Sequence, residues 1–347
     1  MIFRQLFDSV SFTYTYLLGG HAGGEAIIID PVLDKVDRYL DLLKELDLRL
    51  VKTVETHVHA DHITGSGALR DETGCVTVMG KEAKVDTVSM RVDDGDVIEV
   101  DNIRLDVLYT PGHTDDSYCF KMPGMVFTGD TLLIRGTGRT DFQHGNSRAG
   151  YQSIFSKLLT LPEETLVYPA HDYKGDTVST IGEERAFNPR LQVSSADEYA
   201  EIMDNLNLPD PKLMDVAVPA NLKIGLAQDD PYIQNCTLAA DKLVGAVGIE
   251  NILFVDLRED SERLQHGIIS GSVHIPYNHL DSYLKPGGLL TILAQKGDQN
   301  LVLYCAYGER SAMALKAMEN SGIKNVCHLG GGIDAWSKVG GALIPPP

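Results

Sequence analysis

At 347 residues the chain is too long for one average domain, and its 43% apolar content can fill two ordinary cores. A formal net charge of -19 argues against nucleic acid or an anionic membrane surface as a partner, while a small anionic substrate would need only a local positive pocket. Five scattered cysteines without a CxxC pair, no secretory h-region and no apolar run of about 18 residues argue against a disulfide framework, a Cys-rich zinc site and a membrane helix, so the expected setting is the reducing cytoplasm.

Residues 12–18 alternate and then turn apolar, as a strand does, and Gly19-Gly20 and Gly23-Gly24 bracket a turn before a second strand over 26–29. Val36, Tyr39, Leu40, Leu43 and Leu46 recur at helical spacing and predict a helix over 34–46. Buried strands are expected over 48–54, 76–79, 97–100, 103–109, 126–128 and 164–168. A helix follows over 195–206, capped by Ser194 or Ser195 with Asp197 and Glu198 in its first turn. Pro209, Pro211 and Pro219, then Ala227 to Pro231, set a domain boundary between 226 and 236. Beyond it a helix is expected over 238–245, strands over 252–256 and 301–304, a helix over 311–320 and a strand over 326–329. Such alternation predicts a mainly parallel sheet. Pro345-Pro346-Pro347 reads as a frayed tail.

The densest motif follows the strand over 48–54. His57, His59, Asp61 and His62 fall within six residues. Neutral imidazole is the commonest protein ligand for a transition metal, and a carboxylate among imidazoles suits Zn, Mn or Fe better than Ca or Mg. In an extended stretch His57, His59 and Asp61 would point to one side, and a loop could swing His62 onto the same centre. The bland alternative, solvated surface histidines, is weak: groups packed this tightly would repel once protonated and would serve no core. His113, Asp130 and His171 also lie just past strand ends, where the sheet fixes the backbone and the loop stays free to vary.

The series HxHxDH, Gly112-His113, Gly129-Asp130 and a final His171 resembles the metallo-β-lactamase superfold over roughly residues 1–225. The resemblance implies an αββα sandwich with a metal at one edge of its two sheets. Because that fold hosts many chemistries, it does not settle function. A dinuclear thioester hydrolase of the glyoxalase II kind would use all seven ligand-type residues around a bridging hydroxide. A mononuclear iron(II) enzyme of the persulfide dioxygenase kind would use two His and one Asp, leaving open positions for substrate and O₂. A dead scaffold fits poorly with a complete ligand set.

The run Gly138-Arg139-Thr140-Asp141-Phe142-Gln143 resembles the persulfide dioxygenase pattern, as do His171-Asp172-Tyr173 with Gly175, residues 202–209, and Val218-Pro219-Ala220-Asn221. This resemblance implies one Fe(II) per chain, held by His57, His113 and Asp130. His59, Asp61, His62 and His171 would orient those ligands from behind. Arg139 and Tyr173 would grip the glutathione part of the substrate, Arg because it can bind a carboxylate bidentately. Arg139 could equally be the structural partner of Asp141, and Tyr173 could simply pack at the rim.

In the second half, the buried run 301–304 leads into Cys305-Ala306-Tyr307-Gly308-Glu309-Arg310-Ser311 and then a helix. A Cys at a helix N-terminus meets the positive end of the dipole and several unpaired N–H groups, which stabilise negative charge on its sulfur. The same N–H groups can cradle an anionic group carried there. Cys75 and Cys327, within or beside strands, read as inert core cysteines. With residues 254–259, 266–276 and 329–336, the Cys305 loop resembles the rhodanese sulfurtransferase domain over roughly residues 237–343. Its Cys-x₄-Arg spacing fits rhodanese, whereas the related phosphatases use Cys-x₅-Arg. The resemblance makes Cys305 the sulfur carrier and Arg310, with the loop amides, the anion holder. Ala306 stands where many rhodaneses have a basic residue, and Glu309 adds a negative charge, which favours a donor other than thiosulfate.

The expected architecture is therefore α/β: an αββα sandwich over 1–228, then a smaller rhodanese-like domain with a mainly parallel sheet over 229–347. The two share an intermediate. The expected function is oxidation of glutathione persulfide by O₂ to sulfite and glutathione, coupled to sulfane-sulfur transfer among glutathione persulfide, sulfite and thiosulfate. A homo-oligomer is compatible with this reading; nucleic-acid and membrane partners are not expected. The alternative is a dinuclear glutathione thioester hydrolase with a rhodanese module that only binds persulfide.

Overall fold

The computed structural model describes residues 1–85, 87–206, 208–209, 213–224, 230–249, 251–295 and 300–347. They fall into two units, one of Met1–Asp86 with Arg91–Ile224 and one of Thr87–Met90 with Gly225–Pro347. The expected boundary at 228/229 lies outside the described residues.

In the first unit, β1 (Ile2–Asp8), β2 (Thr13–Gly19), β3 (Glu25–Ile29), β4 (Arg49–Val54), β5 (Val76–Gly80) and β6 (Met90–Val92) form one sheet in sequence order. β1 to β3 pair antiparallel, but β3, β4 and β5 pair parallel. Parallel neighbours need a crossover. The helices Val36–Glu45 and Ser66–Thr73 supply it, and their apolar faces bury Val36, Tyr39, Leu42 and Leu69 against Leu17, Ala26, Ile28 and Leu50. Each such fully buried side chain contributes about 1.5–3 kcal/mol.

The second sheet runs β7 (Val97–Val100), β8 (Ile103–Tyr109), β9 (Tyr118–Met122), β10 (Met125–Gly129), β11 (Leu166–Pro169) and β12 (Ser179–Thr180), again in sequence order. Only β10 and β11 pair parallel. The helical segment from Ser147 to Leu158 makes that crossover, and with the helix Ala196–Asp204 it covers Val126 and Val167. Phe3 and Tyr16 of the first sheet meet Phe127 and Tyr168 of the second at ring-centroid distances of 5.0–6.4 Å. Helix, sheet, sheet, helix is the expected αββα order.

The second unit holds β13 (Thr237–Leu238), β14 (Ile252–Asp256), β15 (Val273–His274), β16 (Asn300–Tyr304) and β17 (Val326–Leu329), in the order β13-β17-β16-β14-β15, every pair parallel. Both faces are buried, Val255 and Leu303 with Leu315 on one and Phe254 and Val302 with Trp336 on the other. Apolar runs without alternation are what such a sheet requires.

The sequence reading departs from this structure in a few places. The helix expected over 238–245 begins only at Ala240, because Thr237 and Leu238 pair with His328 and Leu329. β1 and β9 were not expected; β1 has a mixed, half-exposed pattern with no period-2 signal. The proline tail is tied down immediately before it starts, since Ile344 and Ile268 exchange both backbone hydrogen bonds at 2.8 and 3.0 Å. Among the described residues no helix is long and apolar enough to cross a membrane.

Candidate functional site

Four strand ends of the first unit deliver the histidines and carboxylates. His57 to His62 follow β4, His113 follows β8, Asp130 follows β10 and His171 follows β11. They do not converge on one point. One ligand atom from each of His57, His113 and Asp130 lies within 4.8 Å of the others, and His59, Asp61, His62 and His171 form a second group by the same measure. The expectation that His57, His59 and Asp61 share one centre is therefore corrected: the segment is a loop rather than a strand, and the His57 and His59 rings sit side by side, 4.1 Å apart, in different groups.

The hydrogen bonds fix which nitrogens are free. Thr56 Oγ1 donates to Asp30 Oδ2 at 2.9 Å, so it can only accept from His57 Nδ1, 3.0 Å away. His113 Nδ1 donates to the Arg139 carbonyl at 2.7 Å. Both rings thus turn an Nε2 lone pair toward Asp130, whose Oδ2 lies 3.6 Å from His113 Nε2. Burial, then the neighbouring His59 and His113, push His57 well below the usual imidazole range and keep it in the neutral form that coordinates metal. Two imidazoles with free Nε2 atoms and one carboxylate on one side of a cavity fit a transition metal. A Cβ on Gly138 would lie 2.7 Å from His113 Nδ1, so only glycine lets this backbone pass.

His171 is differently placed. Its Nδ1 donates to Asp130 Oδ1 at 2.6 Å and its Nε2 to Asp61 Oδ2 at 2.9 Å. Burial alone would lower its pKa, but the two carboxylates hold it well above the usual range. Burial would likewise raise Asp130, yet His171 and then His113 and His57 hold it well below the carboxylate range. In the second group, His59 Nδ1 and His62 Nε2 are buried without a hydrogen-bond partner among the described residues, while His59 Nε2 faces Asp30 Oδ1 at 3.2 Å and Glu55 Oε2 at 3.6 Å. Asn221 fastens the loop, donating to the His59 and His62 carbonyls and accepting from Thr64 N, each at 2.9 Å.

A cavity of about 810 Å³ opens over His57, His113, Asp130 and His171, walled by Phe12, Phe142 and Tyr173. Arg139 lines it too, but its guanidinium grips Asp141 at 2.6 and 2.7 Å and the Pro209 carbonyl at 2.7 Å. The structural pairing that the sequence left open is thus present. Tyr173 is 63% exposed and stacks on His171. Arg190, not singled out from the sequence, also lines the cavity, and its side chain bonds the carbonyl and hydroxyl of Thr137.

In the second unit, Cys305 sits at the end of β16 and is buried. The Gly308 N–H donates to its sulfur at 3.1 Å, and Ser311 Oγ lies 3.7 Å away. Ser311 Oγ is 3.0 Å from both the Gly308 carbonyl and His328 Nδ1. Thr237 Oγ1 donates to the Ile233 carbonyl at 2.7 Å, so it accepts from His328 Nε2 at 2.8 Å, leaving His328 Nδ1 as an acceptor behind Ser311. Burial pushes His328 down to about 4, so it is neutral at neutral pH. Arg310 is engaged by Glu262 through two bonds of 2.7 and 2.5 Å, and among the described residues only its buried Nε lacks a partner. Glu262 is 48 residues from Arg310, and no local sequence signal announces the pair. Gly332, at φ 60°, lets β17's outgoing loop press on Cys305; a Cβ there would lie 2.5 Å from the Cys305 oxygen.

Comparison with known proteins identifies both domains. The model of the metallo-beta-lactamase superfamily matches residues 8–171, and that of the rhodanese-like domain matches residues 239–339. The human protein named persulfide dioxygenase ETHE1, mitochondrial, is 49% identical over 229 residues, 65% of this chain and 89% of that protein. The chain belongs to the persulfide dioxygenase family. Within that family, the crystal structure of ETHE1 from Myxococcus xanthus is 55% identical and covers 64% of this chain and 98% of its own, with a TM-score of 0.63. A metallo-beta-lactamase from Staphylococcus aureus subsp. aureus COL covers 94% of this chain and 98% of its own at 23% identity and a TM-score of 0.61, a likeness of fold alone. A persulfide dioxygenase domain joined to a rhodanese-like domain gives the chain a role in sulfur metabolism as an enzyme with a catalytic metal.

Proposed function

We propose that the chain is a bifunctional enzyme that oxidises glutathione persulfide with O₂ to sulfite and glutathione, and moves sulfane sulfur among glutathione persulfide, sulfite and thiosulfate on Cys305. The observation that carries the first activity is the His57, His113 and Asp130 group, with two Nε2 lone pairs free while His171 is occupied by two carboxylates. One bound iron(II) would supply a redox-active cation with positions open to substrate and O₂. Thr56, backed by Asp30, and the Arg139 carbonyl hold the two rings in the required tautomer. His171 holds Asp130 Oδ1, leaving Oδ2 for the metal. Phe12, Phe142 and Tyr173 give the cavity an aromatic wall, and Arg190 offers a cation for a glutathione carboxylate. Arg139, spent on Asp141, serves this reading better through its carbonyl than through its guanidinium.

In the second activity, the Cys305 thiolate attacks the outer sulfur of a donor persulfide, the donor leaves as a thiolate, and an acceptor such as sulfite later removes that sulfur. The Gly308 N–H and Arg310 Nε hold the anion, and Ser311 Oγ, backed by His328, lies beside the sulfur. A dinuclear thioester hydrolase is the second reading, favoured by the group of His59, Asp61, His62 and His171. Metal analysis of protein isolated from its native host separates them. One iron per chain is expected; two zinc ions per chain would overturn the dioxygenase reading.

A further inference from the structure

Cys236, immediately before β13, and Cys327 of β17 lie beside each other at the edge of the second unit's sheet. Thr237 pairs with His328 in parallel register, so one residue earlier Cys236 stands opposite Cys327. The Cys327 to His328 step is anchored there, because the His328 N–H donates to the Cys236 carbonyl at 2.9 Å. Successive side chains of a strand alternate between faces. Thr237 and His328 hydrogen-bond on one face at 2.8 Å, which turns Cys327 to the other; Cys236 caps the helix Pro231–Asn235 just before the strand, at φ -105° and ψ 7°, and meets Cys327 through the carbonyl contact and the cleft that both line. Neighbouring strands lie about 4.8 Å apart, inside the Cα separation of about 4.4–6.8 Å that a disulfide spans.

Neither thiol is sealed in the core. Both are half-buried, and both line a cleft of about 550 Å³ together with Tyr232, Asn325 and Val326. This corrects the expectation that Cys327 is an inert core cysteine. Burial, then the field of the Cys236 thiol and its hydrogen bond, raise Cys327 above the usual thiol range.

We propose that Cys236 and Cys327 are a modification site that closes reversibly to a disulfide when the chain meets a small organic disulfide. The Cys236 thiolate attacks one sulfur of the reagent and one thiol leaves. The Cys327 thiolate then attacks the Cys236 sulfur of the mixed disulfide, and the second thiol leaves. Two protein thiols are oxidised and one disulfide is reduced to two thiols, so atoms and electrons balance. The bond ties the entry of β13 to β17, whose outgoing loop donates from Ile333 N to the Cys305 carbonyl at 2.8 Å. The proposal stands apart from the sulfur-transfer reading, since neither cysteine takes part in it.

The test incubates the full chain with glutathione disulfide, blocks remaining thiols with iodoacetamide, and maps unreduced peptides. The expected result is one peptide pair joining Cys236 to Cys327, with loss of both from the alkylated set and recovery of both after dithiothreitol. C327S is expected to stop at glutathionylated Cys236, and C236S to leave Cys327 alkylated. Two outcomes overturn the proposal: Cys236 and Cys327 both alkylated in the unmodified sequence after oxidation, or glutathionylated Cys236 persisting there as it does in C327S. Retention of the buried Trp336 emission in each variant shows that the comparison is between folded proteins.

Discussion

Glu262→Gln tests the account of the Cys305 loop most sharply. Arg310 and Glu262 are 1% and 9% exposed, and the pair is bidentate at 2.7 and 2.5 Å. Burial alone would raise Glu262, but Arg310 holds it below the usual carboxylate range. Two such charges about 4 Å apart interact by about 4 kcal/mol at an effective dielectric of about 20. Removing one partner strands the other, which costs about 3–5 kcal/mol. Gln keeps one acceptor, so about 3 kcal/mol is expected. At about 4 °C per kcal/mol for a domain of this size, the melting midpoint should fall by about 12 °C. The assay is built into the chain: its single tryptophan is Trp336, buried in the second unit, so fluorescence on heating follows that unit. The double variant Glu262→Met with Arg310→Met should recover most of the loss, because a well-packed apolar pair replaces a buried ion pair at little cost. A single-variant shift under about 3 °C, against the expected cost above, would show that the Arg310 charge is met by something other than Glu262.

Thr56→Val removes the acceptor of His57 Nδ1 and should weaken metal binding about 10–100-fold, read as the metal Kd; an unchanged Kd would mean that Thr56 does not set the tautomer. Arg190→Ala should raise KM for glutathione persulfide about tenfold or more with kcat little changed, the pattern for a lost charged contact to substrate. Acid should destabilise the second unit through His328. Its folded pKa of about 4 lies below the unfolded value of about 6.5, so the unfolded chain takes up the proton first and stability falls as pH drops from 6.5 to 4. The loss reaches about 3 kcal/mol at most, and His328→Gln should flatten denaturation midpoints across that window.

The buried strands were legible because parallel pairing buries both faces and leaves unbroken apolar runs, as at Leu301 to Tyr304. The ligand-type residues were legible because each stands just past such a run. What sequence could not supply was the partition of those residues into two groups, which depends on the loop path from His57 to His62 and on His171 reaching two carboxylates. The supporting contacts were hidden for the same reason: Asp30 and Thr56 are 26 residues apart, and Asn221 and His62 are 159. The Arg139 carbonyl proved as informative as its side chain, and backbone roles leave no trace in residue type. Leu238 read as the start of a helix because a two-residue strand carries no periodicity; the pairing of Thr237 and Leu238 with β17 decides it.

Oxygen uptake by the full chain, loaded anaerobically with Fe(II) and then given glutathione persulfide, tests the central claim directly. The account predicts uptake with one sulfite formed per O₂ consumed, and loss of both in His113→Ala. No uptake, together with hydrolysis of a glutathione thioester by the zinc-loaded chain, would contradict it.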